Sequence, residues 1–508
     1  MQDSPEKRSH HVLAHRFPLL RAAGWISIVI AFASSTCLVA ADPFNVLFIA
    51  ADDLRNDLGC YGHSLVRTPN LDQLAGRGLV FNNAYCQQAV CNPARASLMT
   101  GRRLDTLRIW NLSTHFRTQM PDVVTLPQYF KQHGYFTQNV GKIYHNWIHQ
   151  IHGDPDSWSV PAELHFANHG SDKAQVAGAL PASSTNSPKC ECRDVPDEAY
   201  FDGRVAKLAI EALQERASTQ EPFFLAVGFW KPHSPFNAPK KYWDLYQREQ
   251  ISLPTHPEWP LDAPQIAWHD SREILGNSKS QTQPTPEWIR ELRHGYLANI
   301  SYMDAQVGKV LDELERLKLD RTTIIVFWSD HGYHLGEQSL FAKTSNFELD
   351  ARVPLIISVP NMESAGKSTD SLAELLDLYP TLADLCQLPP PDGIEGKRLT
   401  PLLEDSKASA RDFALTQHPR PAYYDREPDQ QPTHMGYSIR TQTHRYTEWR
   451  DWKTGLTTDL ELYDHQSASD ETRNLANDPQ QRSAIEFHAK LLAEAQPLVA
   501  PGWQLQPK

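Results

Sequence analysis

Residues 45–53 read NVLFIAADD, and this stretch decides the fold. From Asn45 to Ala51 the run is short and apolar without alternation, which is typical of a strand buried on both faces. It ends in two acids, Asp52 and Asp53. Strands covered on both sides belong to parallel sheets that carry helices on each face. The stretch therefore predicts an α/β fold with carboxylates where one of its central strands ends.

Three further predicted apolar strands lead directly into ionisable side chains, and a fourth is predicted at residues 355–359. The first three are residues 135–140 before Lys142 and His145, 223–229 before His233, and 322–328 before Asp330 and His331, with Lys343 beyond. Strands that alternate with helices indicate a largely parallel sheet. Ligands of such sheets bind outside the carboxyl ends of the strands. We therefore expect these polar groups along one edge of the sheet.

The rest of the chain divides into a main domain and a smaller one. Helices of the main domain are predicted at residues 126–132, 202–217, 287–317 and 371–386, and the proline-dense residues 253–286 are expected to form a surface insertion. Beyond residue 420 the pattern changes to strands at 437–440, 445–449 and 461–464, followed by a helix at 480–496. We expect an α/β domain over residues 42–420 and a small antiparallel sheet with one helix over residues 421–508.

Residues 1–41 have the features of a signal peptide. A basic segment (1–21) precedes an apolar run (22–39) and a small-residue cleavage site ending at Ala41. The alternative is an uncleaved membrane anchor, since the run is nearly long enough to span a bilayer. A signal peptide predicts a periplasmic or secreted protein with no stable membrane insertion after cleavage.

The net charge of −12 over 508 residues argues against general nucleic-acid binding. It leaves an anionic substrate open, because the local field in a cleft can oppose the overall charge.

The stretch CNPARASLMTGR, residues 91–102, contains the candidate nucleophile. Pro93 suits the first position of a helix and Asn92 suits its cap. Cys91 would then lie at a helix N-terminus, where free N–H groups favour developing negative charge. Arg95 adds a fixed cation about one turn later. The alternative is a buried structural cysteine.

The ionisable residues at the strand ends suit a metal and an anion. Asp52, Asp53 and Asp330 offer the oxygen ligands that Ca²⁺ or Mg²⁺ prefers, whereas a histidine such as His331 is unusual for calcium. Taken singly, such acids also occur as helix caps or turns. The remaining candidates are two lysines that could clamp an anion and two histidines that could act as acid and base, namely Lys142, Lys343, His145 and His233. Each could instead be a solvated lysine or a hydrogen-bonded loop histidine.

These motifs resemble the type I sulfatases, in which the cysteine of a C-x-P-x-R motif is oxidised to formylglycine. The resemblance spans nearly all of residues 43–480. Several stretches resemble the iduronate-2-sulfatase branch of that family, namely residues 51–55 (ADDLR), 58–62 (LGCYG), 87–103, 231–233 (KPH) and 329–332 (SDHG). Two positions depart from common patterns: Ala94 replaces the commonest serine, and Tyr333-His334 replaces a Trp-Ala pair.

The resemblance implies an alkaline-phosphatase-like fold, with a large mixed but mostly parallel sheet flanked by helices and a small C-terminal antiparallel sheet. It also implies that modified Cys91 helps to bind one Ca²⁺ with the four strand-end ligands Asp52, Asp53, Asp330 and His331. By the same resemblance Lys142, His233 and Lys343 would hold the sulfate, and Arg95 and His145 would support the formylglycine hydrate. A maturation enzyme would form the formylglycine.

The expected activity is hydrolysis of a sulfate ester on a saccharide, with 2-O-sulfated iduronate or a related uronic acid as the substrate. A uronate would need a cation near its carboxylate, and Arg55 and Arg440 are the candidates. Two alternatives stay open at this point. One is a phosphate mono- or diesterase of the same superfamily, although Cys91 stands where such enzymes use Ser or Thr. The other is a sulfated-glycan-binding protein without activity.

Overall fold

An eight-stranded sheet forms the centre of the fold. The computed structural model describes residues 43–145, 153–165, 173–219, 221–276, 284–426, 430–466 and 470–496. The expected signal peptide at residues 1–41 lies outside the described residues. Within them, no helix is both long and apolar enough to cross a membrane.

The main sheet is mixed but mostly parallel. Its strands are β1 (Asn45–Asp52), β2 (Leu79–Tyr85), β3 (Phe136–Gly141), β4 (Phe223–Pro232), β5 (Thr323–Ser329), β6 (Arg352–Val353), β7 (Leu355–Ser358) and β8 (Lys367–Glu374). The spatial order is β6-β2-β7-β5-β1-β4-β3, and β8 pairs with β2. Strands β5, β1, β4 and β3 are parallel neighbours, whereas β7 is antiparallel to β5. Four carboxyl ends therefore meet at one edge.

Helices cover both faces of the sheet, which explains why β1 is apolar without alternation. Leu47 and Ile49 belong to one hydrophobic cluster, and Val46 and Phe48 belong to the other. The first cluster includes helices α1 (Pro69–Ala75), α4 (Phe201–Arg216) and α5 (Pro286–Arg316), and the second includes α2 (Cys91–Thr100), α3 (Leu126–Gln132) and α6 (Leu378–Leu385). Shorter helices lie at Leu104–Leu107, Phe116–Gln119, Lys240–Trp243, Arg272–Leu275, Glu348–Ala351 and Thr400–Glu404.

The helix expected over residues 371–386 is wrong in its first part. Strand β8 extends to Glu374, and α6 begins only at Leu378 after a single turn of 3₁₀ helix. The cause is tertiary, because β8 pairs in parallel with β2 and so finds hydrogen-bond partners that local sequence does not reveal. Strand β2 itself was not among the strands that the sequence predicted.

The C-terminal part forms a four-stranded antiparallel sheet with one helix. Its strands are β9 (Ala414–Arg420), β10 (His434–Arg440), β11 (His444–Asp451) and β12 (Thr457–Asp464), and the helix is α7 (Arg482–Ala495). Met435, Tyr437 and Leu492 pack in its core together with Leu104 and Trp110 from the preceding part of the chain. Strand β9 lies before the boundary expected after residue 420, and the division into domains stays a prediction. The predicted fold class is confirmed.

Two short ribbons complete the fold. Cys190–Arg193 pairs in parallel with Phe236–Pro239, and His334–Leu335 pairs with Phe341–Ala342. The Phe236–Pro239 strand of the first ribbon follows the loop that carries His233. The Phe341–Ala342 strand of the second ribbon precedes Lys343. Both therefore hold loops at the same sheet edge.

Candidate active site

The four parallel strands deliver their polar residues to one place, as the sequence predicts. Asp52 ends β1 and lies opposite Pro232 of β4, while Ala51 lies opposite Ser329 of β5. His233 and Asp330 are the residues that follow these two partners. Lys142 follows β3 at the neighbouring position, where its main-chain N–H donates to Gly228 of β4 at 2.8 Å.

Cys91 is the first residue of α2 and points into this cluster. The residue is 2% exposed, and its Sγ lies 3.5 Å from Asp52 Oδ1 and 3.3 Å from His331 Nε2. The cap differs from the expected one, because Val90 precedes the helix and the amide of Asn92 instead donates to the main-chain oxygens of Asn111 and Thr114. Asn92 thus ties the helix start to a neighbouring loop.

The position of Cys91 at a helix start does not by itself lower the pKa of its thiol. Burial, reinforced by the carboxylate of Asp52, raises the pKa of the thiol well above its ordinary value. These effects outweigh the cations of Lys142 and Lys343, which act in the opposite direction. A neutral thiol is a weak nucleophile, so the unmodified side chain is poorly suited to attack.

Arg95 holds together the strand ends that form the site. Its guanidinium is fully buried and donates to Asp330 Oδ2 at 2.8 Å and to the main-chain oxygens of Lys142 and Ile143 at 2.8 and 3.0 Å. It also donates to Ala51 O at 3.2 Å. One side chain therefore connects the ends of β1, β3 and β5 to α2.

The donor set can hold a metal ion. One ligand atom from each of Asp52, Cys91, Asp330 and His331 lies within 4.8 Å of the others. Asp53 adds a carboxylate 3.4 Å from His331 Nε2, and its backbone is left-handed (φ 63°). Burial lowers the pKa of His331, which favours the neutral imidazole that binds metals. The three carboxylates fit a hard divalent cation, and the histidine nitrogen is the unusual member of the set.

The buried carboxylates of the site repel one another, and a bound cation would reduce this repulsion. Burial raises the pKa of Asp53 well above its ordinary value, and Lys343 offsets this only in part because Asp52 and Glu273 add like charge. Asp52 behaves differently. Although its burial opposes ionisation, Lys142, His233 and Arg95 hold its pKa well below the ordinary value.

Two buried lysines face the acids. Lys142 Nζ forms an ion pair with Asp52, and Lys343 Nζ lies 2.8 and 3.0 Å from the two carboxylate oxygens of Asp53. They are 5% and 4% exposed. Their burial opposes the charge, but Asp52 raises the pKa of Lys142 and Asp53 that of Lys343. Both ammonium groups therefore stay charged and able to bind an anion.

Two histidines complete the cluster. His233 Nε2 lies 3.2 Å from Lys343 Nζ and 3.8 Å from Asp53 Oδ2, and its Nδ1 is 2.5 Å from Ser234 O. His145 is buried, and burial together with Lys142 lowers its pKa well below the ordinary value. A neutral His145 can accept a proton.

One residue of the site, Glu273, is not predicted by the sequence patterns. Glu273, from the short helix Arg272–Leu275, contacts Lys343 Nζ at 3.0 Å and lies 4.0 Å from His233 Nε2. It belongs to the proline-dense stretch that the sequence assigns to a surface insertion. No local motif distinguishes this glutamate, since its contacts come only from tertiary packing.

Arg55 and Arg440 lie apart from this cluster. Arg55 contacts Asp57 at 2.7 Å and Glu337 at 3.0 Å, and it lines a separate cavity of about 180 Å³. Arg440 lies against Glu348 and the main chain of Thr441. Both guanidinium groups are committed to protein partners, so their placement lends no support to the expected role in uronate binding.

Comparison with known proteins decides the family. A sulfatase family model matches residues 44–388, and a model described as N-sulphoglucosamine sulphohydrolase, C-terminal, matches residues 336–496. The chain belongs to the sulfatase family. This sulfatase is 38% identical over 471 residues to iduronate 2-sulfatase of Mus musculus, covering 81% of this chain and 85% of the mouse protein. It is therefore a sulfuric ester hydrolase, as the sequence predicts.

Solved structures share the fold of this sulfatase. One, described as a complex with its substrate D-glucosamine-2-N,6-O-disulfate, has a TM-score of 0.71 at 21% identity and covers 90% of this chain and 98% of its own. Another is a phosphonate monoester hydrolase from Silicibacter pomeroyi, with a TM-score of 0.73 at 21% identity and coverage of 91% and 97%. At these identities the likeness concerns the fold alone.

Proposed function

We propose that this sulfatase removes a sulfate ester from a saccharide, with a 2-O-sulfated uronic acid such as iduronate as the substrate. The observation that carries the proposal is the convergence of Cys91, three aspartates, two lysines and three histidines at one sheet edge. The choice of sugar is supported by the similarity to mouse iduronate 2-sulfatase over most of both chains.

We further propose that the site works with Ca²⁺ and with formylglycine formed from Cys91. Asp52, Asp53, Asp330 and His331 would hold the ion beside residue 91. When present, the two groups supply an oxygen nucleophile and a positive charge that offsets the charge of the sulfate. The neutral thiol described above supports the proposal, since sulfur at this position is a poor nucleophile in its own right.

The protein's own residues then have distinct tasks. Lys142 and Lys343 bind sulfate oxygens and offset the charge that grows on them in the transition state. His233, 3.2 Å from Lys343 Nζ, is placed to donate a proton to the leaving alcohol. His145 accepts a proton when sulfate is released, and Arg95 holds the helix start against Asp330.

The proposal also covers location and maturation. Signal-directed export to the periplasm or beyond is proposed from the features of residues 1–41. A formylglycine-generating or equivalent maturation enzyme is the proposed partner, and it could not reach Cys91 in the folded protein, where that residue is buried. The polypeptide would therefore be modified before or during folding.

The test compares ester classes on one preparation. Sulfate release is measured from a 2-O-sulfated uronate disaccharide, from a chromogenic aryl sulfate and from the matching aryl phosphate. The proposal expects the highest kcat/KM for the disaccharide and a lower value for the phosphate. Faster hydrolysis of the phosphate would favour the phosphoesterase alternative, and tight disaccharide binding without release would favour the non-catalytic one.

A further inference from the structure

A cavity of about 300 Å³ adjoins the active site beyond His233. Ser234 and Pro235, the next residues in the chain, form part of its wall together with Glu273. The Glu273 carboxylate lies 3.0 Å from Lys343 Nζ, so the cavity begins one side chain away from the proposed sulfate site. Its volume is at the lower end of the range for small-ligand pockets, which suits one sugar ring.

The two acids that line the cavity already have cationic partners. Glu191 lies 3.0 Å from Arg193 and accepts a hydrogen bond from the Tyr200 hydroxyl at 3.0 Å. Glu273 is paired with Lys343. Arg193 therefore offsets the charge of Glu191, whereas Glu273 shares the ammonium of Lys343 with Asp53.

Lys189 also lines this cavity, and its side chain donates to a neutral main-chain oxygen. Its ammonium donates to the main-chain oxygen of Glu273 at 2.8 Å, which is a neutral acceptor. An ammonium group has three donors, so this bond leaves capacity for an anionic ligand. Lys173 adds an exposed ammonium to the cavity rim. Two lysines therefore line a cavity that adjoins the proposed sulfate site.

The main chain holds Lys189 at a set position relative to His233. The carbonyl of Lys189 accepts a hydrogen bond from Phe236 N at 2.7 Å, and its N–H donates to Ser187 Oγ at 3.2 Å. Phe236 begins the strand that pairs with Cys190–Arg193, and it follows His233 by three residues. The ribbon thus ties the lysine to the catalytic loop.

We propose that Lys189 is a specificity residue that binds an anionic substituent of the saccharide, either a uronate carboxylate or a second sulfate group. This inference rests on the proposed function. It assigns binding of the acidic group of the sugar to Lys189 instead of Arg55 or Arg440. Burial lowers the pKa of Lys189, with Glu273 opposing the shift. A bound anion would restore part of the stabilisation that the partly buried ammonium has lost.

The experiment compares Lys189→Met, which keeps the aliphatic stem, with Lys207→Met, whose side chain is 67% exposed on α4. The substrates are a 2-O-sulfated uronate disaccharide, the same disaccharide with its carboxylate reduced to an alcohol, a disulfated hexosamine and a chromogenic aryl sulfate. We expect Lys189→Met to lower kcat/KM about tenfold or more on the acidic disaccharide. The reduced disaccharide and the aryl sulfate should be unaffected, as should every substrate of Lys207→Met.

The outcomes separate the two claims. A selective loss on the uronate disaccharide assigns the carboxylate, a selective loss on the disulfated hexosamine assigns the second sulfate, and either supports the inference. An equal loss of kcat/KM on all substrates in Lys189→Met, or no loss on any, overturns the inference about Lys189. The proposed function still stands in that case if the wild-type protein releases sulfate. Wild-type protein inactive on every sulfate ester overturns both. Lys189→Arg should restore the selectivity, which a merely structural role would not predict.

Discussion

The sulfur of Cys91 lies 3.3 Å from Nε2 of His331. One residue begins helix α2 and the other follows strand β5, so the contact joins the candidate nucleophile position to the candidate metal group. The same sulfur lies 3.5 Å from Asp52 Oδ1. Chemistry at residue 91 is therefore expected to depend on what the neighbouring acids bind.

Replacing Cys91 by serine should separate binding from turnover. Serine keeps the size and polarity of the site, and Lys142 and Lys343 remain to bind sulfate. Cys91→Ser is expected to bind a sulfated disaccharide with a Kd close to that of the wild type but to release no sulfate beyond a single turnover. Calorimetry and a sulfate-release assay check this. Full multiple-turnover activity would contradict the assigned role.

Metal binding should depend on Asp53. Asp53→Asn removes one negative charge from the ligand group, and ligand charge tunes calcium affinity over several decades, so we expect affinity to fall about tenfold or more. Asp57→Asn is the matched control, since Asp57 contacts Arg55 and lies outside the metal group. Calcium content after gel filtration is the measurement. Equal calcium in both variants would show that Asp53 is not a ligand.

The acidic limb of the pH profile should reflect His145. Burial and Lys142 lower its pKa well below the ordinary 6.5, so the base stays neutral until the pH falls below that value. The limb of kcat against pH is therefore expected well below pH 6.5. His145→Gln should lower kcat about 100-fold or more. A limb at or above pH 6.5 that disappears in His145→Gln would refute the neutral base.

Sequence patterns were enough to predict which edge of the sheet carries the site, but not all of the residues that form it. The buried runs that end at Asp52 and Trp328 carry a strong signal, because parallel strands covered on both faces are apolar throughout. The rest depends on contacts between distant segments. Pairing of β8 with β2 overrides the helix expected from residue 371, and packing of the insertion brings Glu273 to Lys343. The ion pair of Arg55 with Glu337 likewise joins residues far apart in the chain, and no local pattern predicts it.

Stability should depend on a buried ion-pair group formed by Arg411, Glu374 and Asp377. Arg411 contacts Glu374 at 2.5 Å and also pairs with Asp377, and all three side chains are nearly inaccessible to solvent. Arg411→Met leaves two buried carboxylates without this cation and is expected to cost about 3–5 kcal/mol. Urea unfolding is the measurement.

The matched control is Arg398→Met. Arg398 contacts Asp384 at 2.9 Å, but its side chain is 65% exposed, so the cost should stay below about 1 kcal/mol. Similar losses in the two variants would show that burial does not set the strength of these pairs.

The most direct test of the central claim is the mass of the peptide that contains Cys91, measured on active protein. Conversion of the thiol to formylglycine predicts a loss of about 18 Da, in a fraction of molecules that rises in proportion to the specific activity. An unmodified thiol in fully active protein would contradict the account.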